Sequence, residues 1–486
     1  VLTPRGPHPP SADTRGALRR LVVAAGIVAA LAFVVVGLAF QLQTYGDGAI
    51  FSYAVAAQQV WDVHWRNIVA RATVWLVAMA PAEALAGATG SAQAGVFLYG
   101  LLSFSAQAFG LFATFLFDAT KGRVFFAFAC ASTACLTPLV FGFPSEMLFA
   151  HALFWPTFAL AFSTARTKRA AALLFVFVLA LAFTHEAALG LVGGIVGALA
   201  LRGLRDPRFF RALTCLACVV AIWILVNRAF PPDAYYGEVK LRAAGEFLDS
   251  RALAFPLLKT IGAALAAYFA LAFALSFFFS RGPLAASGLT LAALVVWWAQ
   301  YDHVLHADSR YYARTILLAG TCLLAVVCAL VALRAEGAPV ARLRFVQRLL
   351  DALASSRATG VFAGAVVLLV SIHLVETAKF LRGWSAYRDA VRTLATGAAS
   401  DPDLGAPFFV SSRRIGAGLN RLSWFSTTPY FSAVVADFRP TRIVIDPAGN
   451  YFWIPCAMAT ADVAGKSAVP RETREMLRAY ACAHLR

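Results

Sequence analysis

Six ionisable side chains crowd into YDHVLHADSRYYAR at residues 301–314, between two long apolar runs: Asp302, His303, His306, Asp308, Arg310 and Arg314. Ionisable groups at membrane depth are costly, so such a segment is a functional candidate. A carboxylate there can act as general base towards a hydroxyl or amine. An arginine can hold a phosphate through two parallel hydrogen bonds. His303 and His306, three apart, could bind a divalent metal with Asp302 or Asp308, a weaker alternative because loop geometry decides it. Structural roles compete with each of these. Asp308 and Arg310 can simply pair, and Tyr311 and Tyr312 suit an interfacial aromatic belt.

The remaining candidates also stand beside apolar runs. Asp47 lies in YGDGAIF, Glu146 follows FGFPS, and His185–Glu186 interrupt LAFTHEAALG. Asp47 and Glu146 could serve only as acidic ends of helices. His185 and Glu186 could be a satisfied buried pair, and Asp62 in VWDVHW a solvated position on an interfacial helix.

The elements that position these groups are membrane helices. The chain is 60% hydrophobic, with apolar stretches near the length needed to cross a bilayer. Spans are expected at 21–40, 95–117, 124–142, 146–165, 170–183, 187–201, 211–230, 258–280, 284–299, 315–333 and 360–379. That is an all-α polytopic membrane protein of about eleven transmembrane helices, the two around THE at 184–186 being short enough to form one kinked helix. The first reads as a retained helix rather than a cleaved signal. Residues 1–20, Pro-rich and basic, are expected to be disordered and cytoplasmic. The region at about 48–90 reads as interfacial helices. In it, 67–88 is nearly long enough to span but is interrupted by Arg71, Pro81 and Glu83.

Charge distribution orients the chain. The net charge of +17 resides in short loops between apolar runs, which argues for membrane topology and against nucleic-acid binding. With a cytoplasmic N-terminus, every inside loop is basic, an alternation that holds only if 67–88 does not span, while FGFPSEM and FTHEAA contain no Lys or Arg. The candidates then share the outer face. The segment 380–486 falls outside as well, and its strand-like PFFVSS and TRIVIDP and helical PRETREMLRAYACAHL suggest a small C-terminal α/β extracytoplasmic domain. Cys456 and Cys482 lie there and could form a disulfide outside the cytoplasm. Cys215 and Cys218, a CxxC within a helix, read as packing residues.

The order of YGDGAIFSYA, FGFPSEMLFAHALF, THEAALG and HADSRYYARTILL resembles the membrane-integral glycosyltransferases of the GT-C type over roughly residues 20–335. The resemblance implies a polyprenyl-phosphate-linked sugar as donor and an acceptor outside the cytoplasm: a glycan, a lipid or a protein. It implies Asp47 as the base and donor-phosphate contacts at or near Arg310 and His185. Glu146, Glu186, His306, Asp308 and Tyr311 complete the expected substrate-binding face. The chain departs from the family pattern in lacking a doubly acidic first-loop motif: Gly48 follows Asp47. The competing expectation is a secondary transporter or lipid flippase with a polar pathway through His185, Glu186 and Asp308. No internal repeat supports it. A third reading is a non-catalytic envelope assembly protein. The Ala/Arg-rich composition points to a bacterial inner membrane.

Overall fold

A computed structural model describes residues 12–61, 71–137, 145–163, 167–231, 256–279, 281–301, 312–336, 356–398, 401, 404, 406–424, 427–447 and 467–483. The expected 301–314 cluster falls almost wholly outside them: Asp302, His303, His306, Asp308, Arg310 and Tyr311 are not among the described residues, and neither are Asp62 and Cys456.

The chain is helical and multi-pass. Among the described residues eight helices are long and apolar enough to cross a membrane, and three more are apolar but shorter. Helix α1 covers Ala12–Ala39, so helix begins ahead of the expected start at 21. Ala, Arg and Leu in RGALRRL are strong helix formers and extend the span towards the N-terminus. Then come α2 (Asp47–Ala57), α3 (Ala72–Val74), α4 (Ala80–Thr89), α5 (Ala92–Phe117), α6 (Val124–Leu136) and α7 (Glu146–Phe162). Helices α8 (Lys168–Ala182), α9 (Ala188–Ala200), α10 (Pro207–Ala229), α11 (Pro256–Leu275), α12 (Gly282–Gln300), α13 (Tyr312–Ala335) and α14 (Ser356–Thr396) follow.

The membership of the spans differs from the expectation: at the expected 124–142 and 146–165, α6 and α7 have 13 and 17 described residues and are among the shorter apolar helices. Ala72–Thr89, read from sequence as interrupted, is continuous helix and qualifies as a span by length and composition. A π-turn at Trp75–Met79 absorbs the disturbance, and Pro81 falls in the first turn of α4, where its missing N–H costs little. Conversely, the expected 170–183 and 187–201 are helices of 15 and 13 residues, separate and too short for a full crossing. Local side-chain bonds break the chain between them: Thr184 Oγ1 donates to the Leu181 carbonyl at 2.7 Å, and His185 Nδ1 accepts from the Ala187 N–H at 3.1 Å.

Two glycines set the closest helix contacts. A Cβ on Gly110 of α5 would lie 2.3 Å from the Ala152 carbonyl of α7, and one on Gly26 of α1 would lie 2.4 Å from the Cys130 backbone of α6. In lipid, where apolar transfer does not drive helix association, such small-residue contacts carry the packing. A buried polar set ties the same helices together. His151 Nδ1 meets Gln107 Oε1 at 2.9 Å, its Nε2 meets Ser132 Oγ at 2.7 Å, and Gln107 Nε2 donates to the Leu148 carbonyl at 2.8 Å.

Helix α14 runs unbroken for 41 residues, roughly 62 Å, through the expected boundary at 379/380. Its far end carries Phe380, Trp384 and Tyr387 into a core with Tyr45, Trp424 and Phe431. Trp384 Nε1 donates at 2.8 Å to the Phe40 carbonyl just past α1. The C-terminal segments then form β1 (Phe409–Ser411), α15 (Ala417–Asn420), α16 (Thr428–Val435), β2 (Ile443–Ile445) and α17 (Arg471–Ala483). Strands β1 and β2 pair in parallel, Val410 opposite Val444, a pairing that requires a crossover, supplied here by α16. This region shares its core with the membrane helices. Phe51 and Val55 of α2 pack in one cluster with Tyr430, Ile443, Leu477 and Tyr480. Helix α2 is therefore buried between the bundle and the C-terminal region. Cys482 is disulfide-bonded.

Candidate functional site

The site is built around Arg71, directly ahead of α3. Its Nη1 lies 2.8 Å from Glu146 Oε1, and its Nη2 and Nε each lie 3.4 Å from the two carboxylate oxygens of Glu186. One guanidinium thus joins two carboxylates from distant parts of the chain. Each element has a local reason for its place. Thr73 anchors the head of α3, its N–H donating to the Phe183 carbonyl at 3.0 Å and its Oγ1 to the Ala180 carbonyl at 2.9 Å. These bonds satisfy carbonyls that the end of α8 leaves open. Glu146 opens α7 behind Ser145, whose Oγ accepts from the Met147 N–H. The positive end of that helix favours a carboxylate.

Asp47 is the first residue of α2. Gly46, at φ 59°, turns the chain into the helix and is its N-cap, so capping does not account for Asp47. A side chain at Gly46 would meet the Trp424 indole at 3.1 Å, so the C-terminal region closes over the loop that presents Asp47. The Asp47 carboxylate is half-buried and acts electrostatically on Arg71 and on Tyr99 of α5. Tyr99 is buried beside Ser103, and the same tyrosine feels Glu146.

His185 Nδ1 also lies 3.4 Å from Glu186 Oε2. The same nitrogen lies 3.1 Å from the Ala187 N–H, and the His185 ring adds to Arg71 in favouring the charged form of Glu186. Among the described residues three carboxylates, Asp47, Glu146 and Glu186, act on the Arg71 guanidinium. Burial works to raise the Glu186 carboxyl, but the Arg71 charge, the neighbouring His185 and hydrogen bonds together outweigh it and hold it below its ordinary range. Burial works to lower Arg71, and Glu186, Glu146 and Asp47 together outweigh it and fix the guanidinium charged.

The structure thus brings together Asp47, Glu146, His185 and Glu186, four expected site residues from three segments of the chain. The other expected site residues, His306, Asp308, Arg310 and Tyr311, lie outside the described residues. Sequence reasoning missed Arg71, read only as an interruption of an apolar run. The available signal was electrostatic: several acidic groups converging near a membrane face need a counter-charge, and Arg71 heads the neighbouring helix. Among the described residues no three His, Cys, Asp or Glu side chains group as a metal centre would need. Below the site, Tyr99, Ser103 and Gln107 recur every fourth residue on α5 and lead to His151 and Ser132, all buried. No family model matches the chain, and no curated protein or solved structure matches it.

Proposed function

We propose that the chain is a membrane-integral glycosyltransferase moving a sugar from a polyprenyl-phosphate carrier to an extracytoplasmic acceptor. The convergence of Asp47, Glu146 and Glu186 on Arg71 carries this reading. Arg71 is engaged by Glu146 and Glu186, which leaves the carboxylate at the start of α2 to face the acceptor in this reading. Asp47, half-buried at a helix start and outside the Arg71–Glu146–Glu186 clamp, takes the proton from the acceptor hydroxyl as its oxygen attacks the anomeric carbon. The bond from that carbon to the donor phosphate oxygen breaks, and polyprenyl phosphate leaves with the bonding pair. Contact to that phosphate falls to Arg310, as the family resemblance implies. The same reading places the chain in a bacterial inner membrane, with the basic loops in the cytoplasm and the C-terminal region outside. The disulfide at Cys482 supports that side, since disulfides persist in oxidising compartments.

One observation favours a second reading, a secondary transporter or flippase. The buried polar row from Tyr99 through Gln107 and His151 to Ser132 runs from the site into the bundle, as a proton path would.

A single comparison separates them. Wild type and Asp47→Asn, purified in equal amounts, are incubated with a panel of polyprenyl-phosphate sugars and an envelope acceptor fraction, and free polyprenyl phosphate is followed by mass spectrometry. Release by wild type that falls at least a hundredfold in Asp47→Asn supports the transferase and its base. Equal release by both removes Asp47 from the role. No release, with proton-coupled uptake in vesicles that Glu186→Gln abolishes, replaces the transferase with the transporter.

A further inference from the structure

At the arginine-rich end of the bundle, far along the chain from the Arg71 cluster, a cavity of about 320 Å³ opens between the end of α7 and the starts of α8 and α10. Its walls include Ser163, Thr167, Ala171, Asp206, Arg208 and Arg211. The arginines are held in place from behind. Arg208 Nη1 donates to the Phe162 carbonyl at 2.9 Å, and its Nε lies 3.3 Å from Asp206 Oδ1. Arg211 Nη2 donates to the Ser163 carbonyl at 3.0 Å. Thr167 and Asp206 are the N-caps of α8 and α10, so two helix starts also point their positive ends at this space. Among the described residues that line it, Asp206 is the one carboxylate. Arg202 Nε at 2.6 Å, together with Arg208, neutralises it. Lys168, Arg169 and Arg205, neighbours in sequence of the lining Thr167 and Asp206, are exposed.

A second feature starts at the same place. Arg211, Thr214, Cys218, Ala221 and Leu225 recur at three- and four-residue spacing and so share one face of α10. The last four are exposed, and three of them are small. From Thr214 to Leu225 the helix rises roughly 17 Å, about the hydrocarbon depth of one leaflet. A basic polar cavity continuous with a shallow apolar track along a membrane helix has the dimensions and polarity of a phospholipid, head and tail.

We infer that this cavity binds the phosphate of an anionic glycerophospholipid, with an acyl chain lying along the Thr214–Leu225 face of α10. Arg208 and Arg211 supply the guanidinium wall for the phosphodiester. The site does not depend on the transferase reading and lies at the opposite, basic end of the helices.

The test uses the full chain in detergent with three probes: dioleoyl-phosphatidylglycerol, dioleoyl-phosphatidylcholine and soluble glycerol 3-phosphate. Native mass spectrometry counts bound lipid, and N-ethylmaleimide alkylation reports on Cys218, an exposed thiol on the proposed tail track. The anionic lipid is expected to bind at least tenfold better than the zwitterionic one and to slow Cys218 alkylation severalfold. Arg208→Gln is expected to lose that preference. Ala171→Leu, which fills the cavity without changing any charge, is expected to lose it too, and it keeps the proposal testable if Arg208→Gln fails to fold. A preference that survives Ala171→Leu would mean diffuse attraction to a basic surface and would overturn the site. Unchanged Cys218 alkylation would overturn the tail track. Binding of glycerol 3-phosphate with no lipid preference would assign the cavity to a soluble phosphate ester and overturn the lipid.

Discussion

Arg71 Nη1 and Glu146 Oε1 lie 2.8 Å apart, joining the head of α3 to the first residue of α7. The same guanidinium reaches Glu186 on the turn before α9, so three segments meet at one cation. Removing that cation leaves two largely buried carboxylates without their charge partner, and such losses cost about 3–5 kcal/mol. Arg71→Met is therefore expected to lower the unfolding temperature sharply. Arg71→Met combined with Glu146→Gln and Glu186→Gln is expected to recover much of the loss. Thermal unfolding in detergent, followed by size exclusion, measures both, and a triple variant no better than Arg71→Met would refute the ion-pair account.

The pH response of this cluster has a definite sign. Glu186 has a folded pKa depressed below its ordinary value of 4.5. Its contribution to stability is present in full above that value and is lost as pH falls through the lower folded value. A scan from pH 7 to pH 3 should show stability falling only in the acid range, and Glu186→Gln should flatten that limb. A wild-type curve that bends instead near pH 6–7 would point to His185 rather than Glu186.

The buried His151 set predicts a stability loss distinguishable from a functional one. His151→Phe leaves Ser132 and Gln107 each short of one buried partner, at a cost of about 1–3 kcal/mol per group. Combining it with Ser132→Ala and Gln107→Leu should restore part of the stability. If the row carries protons, the restored triple variant remains inactive in vesicle uptake. If it is only packing, that variant regains function.

Gly110 has no room for a methyl group, since the Ala152 carbonyl would lie 2.3 Å from it. Gly110→Leu must push α5 from α7 and is expected to cost 3 kcal/mol or roughly more, beyond ordinary overpacking, because backbone cannot rotate aside. Fluorescence-detected size exclusion should show aggregated or absent protein. Gly193→Leu, on α9 where nothing lies within 4 Å, should leave the profile unchanged.

Cys482 offers a test of which side the C-terminal region occupies. In intact cells its thiol should resist alkylation until reductant is added, and Cys482→Ser should cost about 2–4 kcal/mol. A thiol that is freely alkylated without reductant would place the region in a reducing compartment.

The period and length of the apolar runs were legible in the residues, because a helix that lies in lipid must satisfy its own backbone and so writes its signal locally. The strand-forming PFFVSS and TRIVIDP and the helix after Pro470 were legible from other local signals, β-branched and aromatic runs bounded by turn residues and a proline at a helix start, and β1, β2 and α17 form there. The polar interruptions at Asp47, Glu146 and His185–Glu186 stood out because charge beside apolar sequence is rare. What joins them was not legible. The partners of Arg71 lie 75 and 115 residues away, and no local pattern encodes a contact across that separation. Arg71 and Pro81 looked like breaks because the π-turn that accommodates them depends on neighbours packed around it. The run of α14 through the expected boundary, and the burial of α2 beneath the C-terminal region, were likewise decided by the tertiary structure. Local sequence determined which segments are helix and which groups are costly to bury. Only the packed chain determined which of those groups offset one another.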